Sequence, residues 1–255
     1  NFCFSKIEIF NCPAIWSAII DGFFCCFKLV INSNEIFYDD KLSVIEIGSN
    51  DGILLEKISG YSSNTIGIEP STNVAAVARS KGLDVISEFF NEGLAGKIFS
   101  DYSAAQLVVG SNVLCHIPDL NELARALNVV LDDEGVFIFE DPYLLDIMTQ
   151  LAYDQIYDEH VYIFSAMSVQ NIFSAAEFEL IEVVPQTTHG GSMRYVLCKK
   201  GMREISKNVY ETIINEKRLG LDDKSRYDTF KIDCEKSKKI LNNILLEYSR
   251  SGKRI

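Results

Sequence analysis

The sequence predicts an α/β fold: one mostly parallel sheet of seven strands, helices on both faces, and an antiparallel final strand. Three observations carry this reading. Short apolar, β-branched runs alternate with helical patterns from Leu42 onward. One of these runs passes through a glycine turn directly into a helix. Farther on, a loop reading TTHGGS joins two strand patterns, and so short a link allows only an antiparallel pair.

The glycine turn lies in Val44 to Glu56, VIEIGSNDGILLE. Val44, Ile45 and Ile47 favour a central strand, and Gly48 ends it where a side chain would crowd a ligand. Asp51 and Gly52 open a segment in which Ile53, Leu54 and Ile58 can share a helical face. Such a turn aims backbone N–H groups and a helix N-terminus at whatever lies above the strand. An ordinary βα turn without a ligand has the same pattern, so the turn alone leaves both readings open. Glu69, followed by Pro70, ends the next apolar run, TIGIEP, 21 residues beyond Gly48. An acid near this offset can accept hydrogen bonds from both hydroxyls of a ribose. Asn50 stands where a dinucleotide-binding turn needs its second glycine, so a cofactor without a pyrophosphate fits better than NAD.

Strands are expected at 42–48, 64–69, 83–86, 105–111 and 135–140, with helices at 52–59, 74–81 and 120–131. A helix at about 168–176 and strands at 180–186 and 193–199 follow. The alternation implies right-handed βαβ units. Residues 1–40 are read as a separate, helical N-terminal segment, 41–200 as the ligand-binding domain, and 201–255 as the helical start of an incomplete C-terminal domain.

With 255 residues, 47% of them hydrophobic, the chain can fill a sizeable core. A formal net charge of −12 without a concentrated basic block argues against a nucleic-acid partner. An anionic small molecule would need local help from a residue such as Arg194. The seven cysteines include no CxxC pair, so a reduced, cytoplasmic setting is expected, with Cys115 and Cys198 as small buried hydrophobes. Pro13 to Ile31 is apolar and nearly long enough to span a membrane, but Asp21 and Lys28 interrupt it and no basic region precedes it. A helix packed on the edge of the domain is the expectation there, with no membrane partner. The subunit is expected to be a monomer or homodimer.

Ligands of open parallel sheets sit above the carboxyl ends of the strands. Gly48, Glu69, Glu88 and Asn112 fall at that edge. The chain's three histidines do as well: His116 past the fourth strand, His160 past the fifth and His189 in the hairpin loop. Three imidazoles at one rim suggest proton transfer or a metal. No HxxxH or HExxH pair is present, and no resident metal is expected. Tyr157 and His160 are three residues apart, so one tight turn could present both to a single substrate.

The motif Glu46, Gly48, Ser49, Asn50, Asp51, Gly52 with Glu69 resembles that of class I S-adenosylmethionine-dependent methyltransferases. EIGSNDG, SNVLCHIPD, YDQIYDEHVYIFS and HGGSMRY, in this order, resemble the C-methyltransferases of nucleotide-linked keto-deoxysugars. The resemblance spans about 42–250 and implies the Rossmann-like methyltransferase fold with S-adenosylmethionine as cofactor. It further implies that Glu46, Gly48, Ser49, Asn50, Asp51, Gly52, Glu69 and Pro70 hold the cofactor, that Glu88 and Phe89 border its adenine and that Asn112 faces its methionine part. Phe89 and its neighbour Phe90 also fit ordinary core positions. The resemblance makes His160 the base and puts Tyr157 near the sugar carbonyl. His116, Glu159, His189, Gly190, Gly191 and Arg194 would line the same pocket.

The chemistry agrees with that assignment. An imidazole with an ordinary pKa of about 6.5 can remove the proton next to a ketone, and Tyr157 can donate to the enolate oxygen. Glu159 would orient an imidazole or bind a sugar hydroxyl. Family members also carry an N-terminal zinc domain with paired CxxC motifs and a second α/β domain after the helical tail; neither pattern occurs here, and the chain is expected to be a fragment. Methylation of oxygen or nitrogen on another small molecule and a non-catalytic, cofactor-binding fragment are the alternatives.

Overall fold

A computed structural model describes residues 39–254. The expected N-terminal helix, and most of the segment read as 1–40, lie outside the described residues. Seven strands form one sheet: β1 (Asp39–Ile47), β2 (Ser62–Ile68), β3 (Asp84–Ile86), β4 (Ala105–Ser111), β5 (Leu131–Pro142), β6 (Phe178–Gln186) and β7 (Ser192–Lys199). Their order is β3-β2-β1-β4-β5-β7-β6. β7 runs antiparallel to both β5 and β6, so β6 points the same way as the first five strands.

Sequence periodicity explains the layers. Alternate residues of a strand face opposite sides of a sheet. Ile45 and Ile47 of β1 join a core with Leu94, Leu123 and Phe173, while Leu42 and Val44 join Leu54, Ile58, Val109 and Ile138 on the other face. The helices along this part of the chain are α1 (Ile53–Ser59), α2 (Thr72–Ser80), α3 (Glu92–Tyr102), α4 (Leu120–Val130), α5 (Leu144–Gln150) and α6 (Ala166–Ser174). The expected elements are present, with ends shifted by a few residues. β5 starts earlier than expected because Leu131 pairs with Ala105 before an irregularity spanning Asp132 to Gly135.

Two helices have no counterpart in the sequence reading. Gly93 and Gly96 weaken the helical signal of α3. Tertiary packing overrides it: Leu94, Ala95 and Ile98 are buried, and the Asn91 side chain caps the helix by accepting from Leu94 N–H at 2.9 Å. α5 is only two turns long, too short to show a period.

The tail forms α7 (Lys207–Arg218) and the longer α8 (Lys224–Arg250). α7 packs on β6 and α6. Glu216 of α7 is fully buried and accepts from Tyr143 Oη at 2.9 Å and from the N–H groups of Ala166 and Met167 at 2.7 and 2.9 Å. Its carboxylate therefore serves the amino end of α6, where helical N–H groups lack partners. α8, by contrast, buries none of its residues.

Glu216→Ala should cost about 2–4 kcal/mol, because it leaves buried donors of α6 and Tyr143 unpaired. Glu216→Gln, which keeps an acceptor oxygen, should cost less. Urea denaturation of the full chain checks both; an alanine variant as stable as the parent would show that α7 is not held this way.

Candidate active site

The chain reverses direction between β1, which continues outward to β2 and β3, and β4, which leads the other way. Open sheets form their ligand crevice at such a reversal, beyond the carboxyl ends of the strands. The loops after β1 and β4 flank it.

After β1, Gly48, Asn50 and Gly52 adopt φ values of 69°, 50° and 84°. Gly48 and Ser49 both donate to the Ile68 carbonyl, at 2.8 and 3.1 Å, which folds the turn over the end of β2. A side chain at Gly48 is excluded by conformation and by space, since its Cβ would lie 2.6 Å from Val113 Cγ2 of the β4 loop. Asn50 is exposed, and its N–H donates to Glu69 Oε2 at 3.1 Å. Ser71 N–H donates to Glu69 Oε1 at 2.8 Å, so the carboxylate is held still with acceptor capacity left on each oxygen. Lys81 Nζ reaches the Asp51 carbonyl at 2.7 Å and braces the turn from outside.

Beneath the turn, Glu46 and Ser49 are buried, and Glu46 Oε2 and Ser49 Oγ have no hydrogen-bond partner. Burial holds the Glu46 carboxyl well above its ordinary value, and the charges of Asp51 and Glu69 add to this. Pro70 is half-buried beside Glu69, and Glu88 is exposed, 3.8 Å from Lys97 Nζ. Phe89 is not a core residue: it is 76% exposed, whereas Phe90 packs against the core. Asn112 is half-buried at φ 51°, and its N–H donates to the Glu140 carbonyl at 2.7 Å.

These features fit a ribose-bearing, non-phosphorylated cofactor: a fixed acid, an apolar ring open to solvent at the same edge, and a turn too tight for a side chain. Glu46, Gly48, Ser49, Asn50, Asp51, Gly52, Glu69, Pro70, Glu88, Phe89 and Asn112, the residues expected to hold the cofactor, lie at this edge or directly beneath it.

The second half of the site is made by the irregular segment between α5 and α6. It is tied back to the sheet, with Tyr162 N–H donating to the Cys115 carbonyl at 3.2 Å, Tyr162 Oη to the Pro118 carbonyl at 2.9 Å and Leu144 N–H to the Phe164 carbonyl at 2.8 Å. Tyr157 and His160 sit on one tight turn, closed by His160 N–H to the Tyr157 carbonyl at 3.0 Å. Their side chains also meet, Tyr157 Oη lying 2.8 Å from His160 Nε2. His160 Nδ1 is 2.7 Å from the Gln155 carbonyl, which can only accept, so Nδ1 carries the hydrogen and Nε2 takes one from the phenol. Desolvation, with the neighbouring Cys115 and Glu159, pushes the Tyr157 phenol above its ordinary value.

His116 ends a short 3₁₀ turn after β4, and its ring centroid is 5.0 Å from that of His160. Its Nδ1 is 2.8 Å from the Glu159 carbonyl. The main chain of Glu159, not its exposed carboxylate, thus orients an imidazole.

Because β6 points toward the same edge, the 3₁₀ turn Thr188–Gly190 lies there too, carrying the backbone of His189. Gly190 and Gly191 have φ values of 78° and 127°, and a side chain at Gly191 would overlap the Asp146 carboxyl. Arg194 must be reassigned. Its side chain is 1% exposed and Nη2 lies 2.6 Å from Glu140 Oε2, so it braces β5 against β7 instead of meeting an anion. Glu140 Oε1 accepts from Thr188 Oγ1 at 2.8 Å, which fixes the HGG turn to the same pair.

Sequence reasoning missed Gln155, Thr188, Glu140 and Asp141. The run FEDPY at the end of β5 was the available signal, since acids there fall at the ligand edge. Asp141 is fully buried, and burial raises its carboxyl to about 7, beside the Cys115 thiol. Cys115 and Cys198 are both free and buried, but Cys115 faces the imidazoles.

A family model described as a methyltransferase domain matches residues 31–183, and one described as the C-methyltransferase C-terminal domain matches residues 187–255. The C-methyltransferase NovU of Streptomyces niveus is 27% identical over 213 residues, covering 83% of this chain and 51% of that protein. The chain thus spans about half the length of the curated relative it matches. Among solved structures, the plantazolicin methyltransferase BpumL in complex with a triazolic desmethylPZN analog and SAH aligns with a TM-score of 0.57 at 12% identity, covering 77% of this chain and 89% of its own. An S-adenosylmethionine-dependent methyltransferase from Clostridium acetobutylicum gives 0.55 at 15%, covering 78% and 96%. The magnesium protoporphyrin IX methyltransferase of Synechocystis, with bound SAH, gives 0.55 at 13%, covering 78% and 90%. At these identities the structures speak to the fold, whereas the family match takes in more than half of the sequence. The chain belongs to the class I S-adenosylmethionine-dependent methyltransferases and, within them, is similar to the C-methyltransferases.

Proposed function

We propose that this chain supports methyl transfer from S-adenosylmethionine to the carbon next to a ketone of a nucleotide-linked deoxysugar, in the cytoplasm. The observation that carries the proposal is the hydrogen-bonded pair Tyr157–His160. An imidazole fixed in one tautomer by a carbonyl, with its acceptor nitrogen at the ligand edge, is a base held ready. The paired phenol is already a donor. Similarity to a C-methyltransferase supports carbon as the acceptor atom.

S-adenosylmethionine supplies an electrophilic methyl group on a sulfonium. The protein's own residues do the rest. A keto sugar entering between the two side chains replaces their mutual hydrogen bond. His160 Nε2 takes the proton from the α-carbon, and Tyr157 Oη donates to the carbonyl oxygen as charge develops there. His116, held by the Glu159 carbonyl, and the HGG turn border the sugar, while the loops after β1 and β4 set the distance between the two reactants. In this reading the site lies in 41–200, and 201–255 is the helical start of the C-terminal domain, whose family model matches residues 187–255.

Two outcomes test the proposal. In calorimetric titration the full chain should bind S-adenosylmethionine and not NAD, and Gly48→Arg should abolish binding; equal binding of NAD would overturn the cofactor assignment. With a nucleotide-linked keto-deoxysugar in D₂O, the chain should exchange the α-proton, and His160→Asn should slow exchange by ~10²–10⁴-fold. Tyr157→Phe should slow it by ~10²-fold or more. Exchange unaffected by His160→Asn would remove the enolate mechanism and favour methylation at oxygen or nitrogen; cofactor binding without exchange would favour a non-catalytic fragment.

A further inference from the structure

Cys115, His116 and His160 each present one donor atom, all within 4.8 Å of one another. The sulfur is buried, His116 is exposed and His160 is half-buried, so the thiol forms a floor beneath two imidazoles. His116 Nδ1 and His160 Nδ1 each lie against a backbone carbonyl, those of Glu159 and Gln155 at 2.8 and 2.7 Å. Histidines that ligate metals are held in this way, one ring nitrogen donating to a carbonyl so that the other presents its lone pair.

We infer that Cys115, His116 and His160 form a binding site for a thiophilic divalent cation of the Zn²⁺ class, and that the cation blocks the base by taking the Nε2 lone pair of His160. One thiolate and two imidazoles suit zinc and cobalt, and leave a fourth position for water. Donors around such an ion stand about 3.3–3.8 Å apart. The three donors must therefore close in by about an ångström, and the irregular segment carrying His160 is the part free of helix or strand that can supply the movement. The thiol loses its proton as the metal–sulfur bond forms, because coordinated thiols are deprotonated outright. Tyr157 Oη must give up His160 Nε2 at the same time. This is not a resident cofactor of the reaction but a ligand that competes with it.

Binding is argued from the geometry alone; only its inhibitory effect rests on His160 being the base. The test is accordingly optical. Co²⁺ added to the reduced full chain should give a one-to-one complex with a thiolate-to-cobalt charge-transfer band and tetrahedral d–d bands, and Zn²⁺ should displace it. Cys115→Ser and Cys115→Ala should both abolish the charge-transfer band, while the double variant Cys25→Ser, Cys26→Ser and the single variant Cys234→Ser keep it. His116→Ala and His160→Asn should each weaken binding by at least ~10-fold. Tyr157→Phe should tighten it by about threefold to tenfold, since it removes the competing hydrogen bond, a change that a damaged fold would not produce. Zn²⁺ should stop α-proton exchange in parallel with its binding. A band that survives loss of Cys115, a band that needs Cys25 or Cys26, or affinity indifferent to His160→Asn would overturn the site. If the optical results hold and Zn²⁺-loaded protein still exchanges the proton, the inhibitory step falls and the base assignment falls with it.

Discussion

The geometry of the site depends on a buried pair of opposite charges. Glu140 and Arg194 are buried to 0% and 1% exposure and meet at 2.6 Å across β5 and β7. Removing one partner would leave the other as an uncompensated buried charge, at a cost of about 3–5 kcal/mol. A well-packed apolar pair of the same volume would hold the strands as well, so stability alone does not explain the choice of charges. The charges provide direction. Glu140 has a second oxygen, and that oxygen holds the Thr188 hydroxyl, while the Glu140 carbonyl accepts from Asn112 N–H. One residue thereby positions the HGG turn on one side and the β4 loop on the other.

β7 supplies the second constraint. Because it is antiparallel to both neighbours, β6 can point the same way as β1 to β5 although it is the outermost strand. The turn after β6 then opens on the edge that carries Gly48, Glu69 and His116. A parallel seventh strand would have needed a long crossover in place of the short HGG turn.

Much of this was legible in the sequence. The strand–turn–helix at Gly48 was readable because burial on both faces demands a β-branched run and a φ above zero demands glycine, and both are written in residue types. The ligand edge followed from strand direction alone. What was not legible depended on contacts remote in sequence. α3 contains two glycines and becomes a helix only because Leu94 and Ile98 meet α4. Arg194 looks like an anion-binding residue until Glu140, 54 positions away, is seen to hold it. Glu216 sits in a tail rich in charged residues, yet it caps α6, 50 positions earlier. Glu159 was assigned through its side chain, and sequence cannot show that its carbonyl does the orienting.

Cys115 shows the same gap between residue type and role. By burial it is the small hydrophobe that its neighbours suggest. By position it sits beneath an imidazole that, as the proposed base, would need one nitrogen turned to the substrate and the other tied to a carbonyl. Those two demands are also the demands of a metal ligand, so any enzyme that holds an imidazole ready for a carbon acid risks building half of a zinc site. Two such imidazoles and a thiol complete most of one. What separates proton transfer from metal capture is then spacing and competition: donors held wider than a metal prefers, and a phenol that occupies the histidine nitrogen. In the proposed mechanism the Tyr157–His160 hydrogen bond would protect the base as well as prepare it.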